Sequence, residues 1–201
     1  MKRYLVELVG TFFLTLAVAL TADPMAIGLM LMALVYMGGH VSGGHYNPAV
    51  SLAVWMRGTL DSGLLLGYVV AQVAGALLAG IVFYTLAHSW LIMRLPEGVL
   101  GIVGMVPEIL MTFIFVSVIL VVATTDRYKG VGIAGLAIGL TLTAIATIGG
   151  IFNPAIGITS LCGGLLMGDA TVAVNATIAH IAGPLLGGAV AAYWFGYINN
   201  R

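Results

Sequence analysis

The sequence predicts an all-α membrane protein with six transmembrane helices and two re-entrant half-helices. Of its 201 residues, 61% are hydrophobic and 7% are charged, whereas a soluble domain carries roughly 25% charged residues. Several uninterrupted apolar runs reach about 20 residues, the length that a helix needs to cross a bilayer. The strands of a membrane barrel would instead show short segments of alternating polarity, so the pattern favours a helix bundle.

Six apolar runs are the candidate transmembrane helices, and short segments rich in Asp, Gly, Pro and Arg separate them. The runs cover residues 4–21, 25–40, 62–87, 106–124, 130–148 and 171–198. Two shorter apolar segments, 47–56 and 153–161, follow the second and the fifth run. At the rise of an α-helix, each of them spans about 15 Å, or half of a hydrocarbon core about 30 Å thick.

The two short segments begin with nearly the same phrase. GGHYNPAVSL covers residues 43–52, and GGIFNPAIGI covers residues 149–158. Each half of the chain also begins with a run that contains a single Glu, Glu7 in the first and Glu108 in the second. The chain therefore contains an internal repeat.

The repeat predicts an inverted topology. Each half contains three spans, an odd number, so the second copy enters the membrane in the opposite orientation. We predict one transmembrane domain of residues 1–201, with a first repeat of residues 1–87 and a second of residues 106–201. Architectures of this kind place their functional sites at the repeat interface near the membrane midplane.

The basic residues predict the orientation in the membrane. With the N-terminus inside and six spans, six basic residues fall on the inner side and Arg94 falls outside, as the positive-inside rule requires. We therefore expect both termini in the cytoplasm. The inner set consists of Lys2, Arg3, Arg57, Arg127, Lys129 and Arg201.

The Asn-Pro-Ala triplets are predicted helix starts, because Asn is a favoured N-cap and Pro a favoured first helical residue. The two half-helices then meet with their N-termini at the membrane centre. Each N-terminus carries about half a positive charge, which repels cations. Non-helical backbone at this depth is tolerated only inside protein or beside a water-filled cavity. The triplets are Asn47, Pro48 and Ala49, and Asn153, Pro154 and Ala155.

These features predict a pore with hydrogen-bond donors at its centre and acceptors along its wall. The Asn amides, with their N–H groups free, would donate to a passing molecule. The backbone carbonyls before them would accept, and glycine there leaves the carbonyls accessible. Such a lining suits small neutral molecules. The residues predicted to present these carbonyl acceptors are Gly43, Gly44, His45, Gly149 and Ile151.

The doubled Asn-Pro-Ala motif, with SGGHYNPAVS, YVVAQVAGAL and IAGPLLGGAV, resembles the aquaporin and glycerol-facilitator family over essentially the whole chain. The resemblance implies a homotetramer with one pore per subunit, in the inner membrane of a prokaryotic-type cell. It also implies that Glu7 and Glu108 are buried structural groups that bond the re-entrant loops. The expected partners are the bilayer, other copies of the chain and small neutral solutes, with no cofactor, metal or nucleic acid.

The chain departs from the family at the outer constriction. Most members have Arg directly after the second Asn-Pro-Ala, and this chain has Ile156. The other constriction positions fall at Ile27, Ala146 and Gly150. Because this set is uncharged, apolar and mostly small, we expect a wide constriction that discriminates poorly. The hypothesis is a passive channel for water and for small uncharged solutes of the glycerol or urea type.

The sequence is less consistent with two other classes of function, a secondary transporter and an enzyme. A secondary transporter also uses broken helices and inverted repeats, but it requires a titratable or ion-coordinating group where the sequence offers Asn and backbone. An enzyme is disfavoured because neither Ser51 nor Cys162 has a base or metal motif nearby. Cys162 is interpreted as a small buried hydrophobic residue, and His180 as a helix-packing or vestibule group.

Overall fold

The computed structural model describes residues 1–128 and 132–199, except the side chains of residues 170–173. The described part is all-helical, which confirms the predicted fold class. Lys129 and Arg201, on which part of the predicted orientation depends, lie outside the described residues, as does Gly130 at the predicted start of the fifth span. The helices are α1 (Lys2–Thr21), α2 (Pro24–Ser42), α3 (Pro48–Met56), α4 (Ser62–Ala87), α5 (Gly101–Thr124), α6 (Ala134–Ala146), α7 (Pro154–Leu166), α8 (Ala170–Thr177) and α9 (Gly183–Ile198).

Five helical stretches of the described residues are long and apolar enough to cross a membrane: α1, α2, α4, α5 and Val174–Ile198. The last of these joins the end of α8 to α9 through a turn of π-helix at Ile178–Ala182. The helix in the fifth predicted span, α6, has only 13 residues and extends about 20 Å. It is shorter than the run 130–148 from which it was predicted.

The two half-helices differ in length. Helix α3 has nine residues and ends at Met56, as the sequence indicated. Helix α7 continues to Leu166, five residues beyond the predicted end at residue 161. It continues through Gly163, where the missing side chain leaves room for the ring of Trp90.

Each half contains a matching helix pair: α1 lies along α4 in the first half, and α5 lies along α9 in the second. Helices α2 and α6 pack against each other across the two halves. Each half-helix packs against the long helix of the other half, α3 on α9 and α7 on α4. The N-termini of α3 and α7 therefore lie side by side between the halves.

Glycines allow the paired helices to approach closely. A side chain at Gly75 of α4 would collide with the backbone carbonyl of Leu8 in α1. At the matching place in the second half, a side chain at Gly187 of α9 would collide with the carbonyl of Ile109 in α5. Each of these glycines has an alanine four residues later in the sequence, Ala79 and Ala191.

Local capping explains where several helices begin. The Asp23 carboxylate accepts from the backbone N–H of Met25 at 3.0 Å, and the Asp61 carboxylate accepts from that of Gly63 at 2.7 Å. Both are N-cap residues, which satisfy backbone donors that have no partner inside the helix. Two of the interruptions between the apolar runs thus hold the capped starts of α2 and α4.

We expect Gly75→Leu to destabilise the protein by about 1–3 kcal/mol or more, because it forces α1 and α4 apart. Thermal unfolding in detergent measures the effect. The matched control is Ala87→Leu on the exposed last turn of α4, which should leave the melting temperature unchanged. Equal melting temperatures for the two variants would show that the α1–α4 approach is not tight.

Candidate functional site: a pore between the paired half-helices

Both half-helices begin with the same capping arrangement. The Asn47 side-chain oxygen accepts from the backbone N–H of Ala49 at 2.8 Å, and that of Asn153 accepts from Ala155 at 3.1 Å. Each Asn has an extended backbone, and a Pro follows it at the first helical position. The amide nitrogen of each Asn is therefore left to point away from its own helix.

Each Asn amide crosses to the opposite loop. The Asn47 Nδ2 donates to the carbonyl of Phe152 at 2.7 Å, and the Asn153 Nδ2 donates to the carbonyl of Tyr46 at 2.9 Å. The sequence predicted that the amide N–H groups are free, and the structure corrects this in part. An amide nitrogen carries two N–H groups, and the bond to the opposite loop uses one of them.

The two accepting residues share an unusual backbone conformation. Tyr46 and Phe152 have φ values of 52° and 54°, in the left-handed region that bulky residues rarely occupy. Such strain persists only when surrounding contacts hold it. Their rings are fully buried, and the Tyr46 ring fills the space left by Gly10 and Gly38.

The first loop is held by the buried carboxylate of Glu7. Its Oε1 accepts from the Ser42 hydroxyl at 2.7 Å and from the backbone N–H of His45 at 3.0 Å. Its Oε2 accepts from the backbone N–H of Tyr46 at 2.7 Å and from the Gln72 amide at 2.8 Å. A charge that is 0% exposed is tolerated when it is hydrogen-bonded in this way.

The second loop is held by Glu108 in the same manner. The backbone N–H groups of Ile151 and Phe152 each donate to one of its oxygens at 2.8 Å. The Nδ1 of His180 lies 2.7 Å from Oε1. His180, interpreted from the sequence as a packing or vestibule group, is therefore a hydrogen-bonding partner of the loop support, in the role that Gln72 has in the first half.

A polar chain links the first loop to its half-helix. The Gln72 amide donates to the Ser51 hydroxyl at 2.8 Å as well as to Glu7. The Nδ1 of His45 lies 3.0 Å from the same hydroxyl. Ser51 is thus part of the support of the loop.

A wide cavity opens on the side of the molecule that carries the N-terminus. It has a volume of about 1000 Å³, and Arg3, His40 and Asp61 are among its lining residues. Gly43, Gly44 and His45 also line it, so this part of the predicted carbonyl wall faces the cavity. We call it the vestibule.

A narrow cavity continues from the vestibule past the paired Asn residues. Its volume is about 30 Å³, and Leu31, His45 and Phe115 line both spaces. Among the described residues that line it, the polar ones are His45, Asn47 and Asn153. The remaining lining is apolar and consists of Leu14, Val18, Ile27, Leu31, Phe115, Leu142, Ile151, Phe152 and Ile156.

The predicted constriction residues separate into two groups. Ile27 and Ile156 line the narrow cavity, whereas Ala146 and Gly150 do not. Ala146 is half-buried, and Gly149 and Gly150 are exposed. Leu142 takes the expected place of Ala146, one helical turn earlier on the same face of α6.

The narrow cavity is lined by larger side chains than Ala146 and Gly150, which the sequence placed at the constriction. They include Leu14 and Val18 of α1 and Leu142 of α6. These residues were missed because nothing in an apolar helix marks the turn that faces the pore. Tyr46 and Phe152 each precede an Asn, and their carbonyls accept from the amide of the opposite Asn.

The comparisons with known proteins agree with this geometry. The model of the major intrinsic protein family matches residues 15–195, which are most of the chain. The chain belongs to the major intrinsic protein family. Its fold, its paired half-helices and the pore between them are those of a passive membrane channel for water and small solutes.

Two curated relatives show the range of the family. The chain is 31% identical to aquaporin Z of Photorhabdus laumondii, over 74% of this chain and 76% of the relative. It is 33% identical to glycerol uptake facilitator protein-like 6 of Lactiplantibacillus plantarum, over 96% of each. Among solved structures, the aquaglyceroporin of Plasmodium falciparum matches with a TM-score of 0.80 at 21% identity, covering 98% of this chain and 96% of its own. That likeness shows the common fold.

We expect Glu7→Gln to destabilise the protein by about 1–3 kcal/mol, because an amide nitrogen replaces one acceptor and leaves a buried donor of the loop without a partner. The melting temperature in detergent reports the effect. The control is Glu97→Gln in the exposed segment between α4 and α5, which should melt as the wild type does. If both variants have the melting temperature of the wild type, Glu7 does not support the loop.

Proposed function

We propose that the channel carries water and the most compact neutral solutes and passes larger polyols slowly. The observation that carries the proposal is the cavity of about 30 Å³ beside the paired Asn residues. One water needs roughly 10–15 Å³ of such space, so about two waters fit. One relative is named for glycerol uptake, but the cavity of this chain favours a smaller solute.

The lining of the pore explains the order in which we expect solutes to permeate. A molecule that leaves the vestibule passes His45 and then meets the remaining N–H groups of Asn47 and Asn153. Beyond them the wall is apolar. It offers a solute no hydrogen bonds in place of those that the solute made with water. A solute with several hydroxyl groups therefore has a larger desolvation cost than water or urea.

Cations are excluded in this proposal by the paired half-helix N-termini. Each carries about half a positive charge, and the two meet at the narrow cavity. Ile156 adds no charge where most family members have Arg, so the exclusion depends on the helix ends and on the amide donors. We propose that Asn47 and Asn153 are the central selectivity residues and that Ile27 and Ile156 belong to the outer constriction.

We further propose that residues 1–87 and 106–201 are inverted repeats, with both termini and the vestibule in the cytoplasm of a bacterial cell. The matching pairs α1–α4 and α5–α9 support the repeat, and Arg3 and Arg57 on the N-terminal side support the orientation. The exposed apolar side chains of Leu66, Val70 and Ile102 provide contacts for lipid and for the neighbouring subunits of a homotetramer. No observation on the described residues favours the secondary-transporter alternative.

Osmotic shrinkage and swelling of vesicles that contain the purified protein test the function. We expect water permeability well above that of empty vesicles, a smaller increase for urea, the smallest for glycerol, and no potassium current. Permeabilities equal to those of empty vesicles for every solute would contradict the channel, and glycerol faster than urea would contradict the proposed filter.

We expect Ile156→Ala to raise urea and glycerol permeability severalfold relative to water, since it removes volume from the narrow cavity. The same vesicle measurement compares it with Ile102→Ala, a matched change at a side chain that is 64% exposed on α5. If the two variants have the same solute profile, Ile156 lies outside the permeation path.

A further inference from the structure

The segment between α4 and α5 places an apolar residue against two residues of the pore lining. Leu91 is 7% exposed and packs in one cluster with Ile151 and Ile156, which both line the narrow cavity. Val18, a third lining residue, packs against the same cluster. A residue far from the Asn-Pro-Ala motifs in sequence thus lies directly behind the pore wall.

Two hydrogen bonds and a close ring contact fix Leu91 in this position. On one side, the Trp90 indole N–H donates to the carbonyl of Thr159 at 3.0 Å. On the other side, the backbone N–H of Met93 donates to the Ser160 hydroxyl at 2.7 Å. The Trp90 ring lies where any side chain at Gly163 would stand.

A salt bridge fastens the same segment next to Met93. Arg94 and Asp169 approach to 2.6 Å, with exposed fractions of 56% and 30% for their side chains. The salt bridge joins the segment to the turn between α7 and α8, and the two hydrogen bonds join it to the middle of α7. Leu91 therefore lies on a segment that is bonded to the half-helix that carries Ile156.

We propose that Leu91 is a positioning residue that sets the width of the outer pore by holding Ile156 and Ile151 against the permeation path. Ile156 is β-branched and stiff, and it is 2% exposed. In a densely packed interior, the Ile156 side chain can turn away from the cavity only if the neighbour behind it leaves space. Leu91 is that neighbour, and its side chain occupies the space. The inference rests on the proposed function, in which this cavity limits solute size.

The test compares Leu91→Ala, Leu91→Met and the wild type in vesicles, with water, urea and glycerol as probes. Leu91→Ala should raise the ratio of urea to water permeability severalfold and bring glycerol flux above that of the wild type. Leu91→Met preserves side-chain volume and should restore the wild-type ratio. The matched control is Leu100→Ala on the same segment, where the side chain is 62% exposed.

A second variant changes the position of Leu91 without substituting the residue itself. Gly163→Ala should displace Trp90 and loosen the segment, so it should raise the urea-to-water ratio in the direction of Leu91→Ala. A purely destabilising change would instead lower all permeabilities together.

An unchanged ratio in both Leu91→Ala and Gly163→Ala, or uniform loss of permeability in both, would overturn the role of Leu91. A wild type that is no more permeable than empty vesicles would instead overturn the proposed function.

Discussion

The pore depends on two crossing hydrogen bonds, in which each Asn amide donates to the carbonyl that precedes the other Asn. These bonds join two half-helices that enter from opposite halves of the chain. They also place two positive helix ends side by side, an arrangement that needs fixed acceptors close by. Tyr46 and Phe152 supply the acceptors because their left-handed backbone turns the carbonyls toward the opposite loop.

The carboxylates of Glu7 and Glu108 hold that strained backbone. Each accepts from two consecutive backbone N–H groups of its loop, so the buried charge and the unusual conformation support one another. The two halves differ in the side-chain partners of the carboxylate, which are Ser42 and Gln72 in one and His180 in the other. The geometry of the loops is conserved between the halves although the side chains that support it are not identical.

The sequence predicted the parts of this arrangement that are set locally. N-caps and apolar runs depend on neighbouring residues, so the starts at Asn47 and Asn153 and most spans could be read directly. The outer pore could not, because the face of α6 that meets the pore depends on how α6 packs against α2 through Gly28 and Gly139. That packing brings Leu142 to the cavity and leaves Ala146 beside it.

The most direct measurement is an experimental density map of the protein in lipid at a resolution that shows ordered water. The account predicts the amide nitrogens of Asn47 and Asn153 within hydrogen-bond distance of the carbonyls of Phe152 and Tyr46, with a file of water passing between the half-helix ends. Loops that lie apart, or amides that are enclosed in dry protein with no passage beside them, would contradict it.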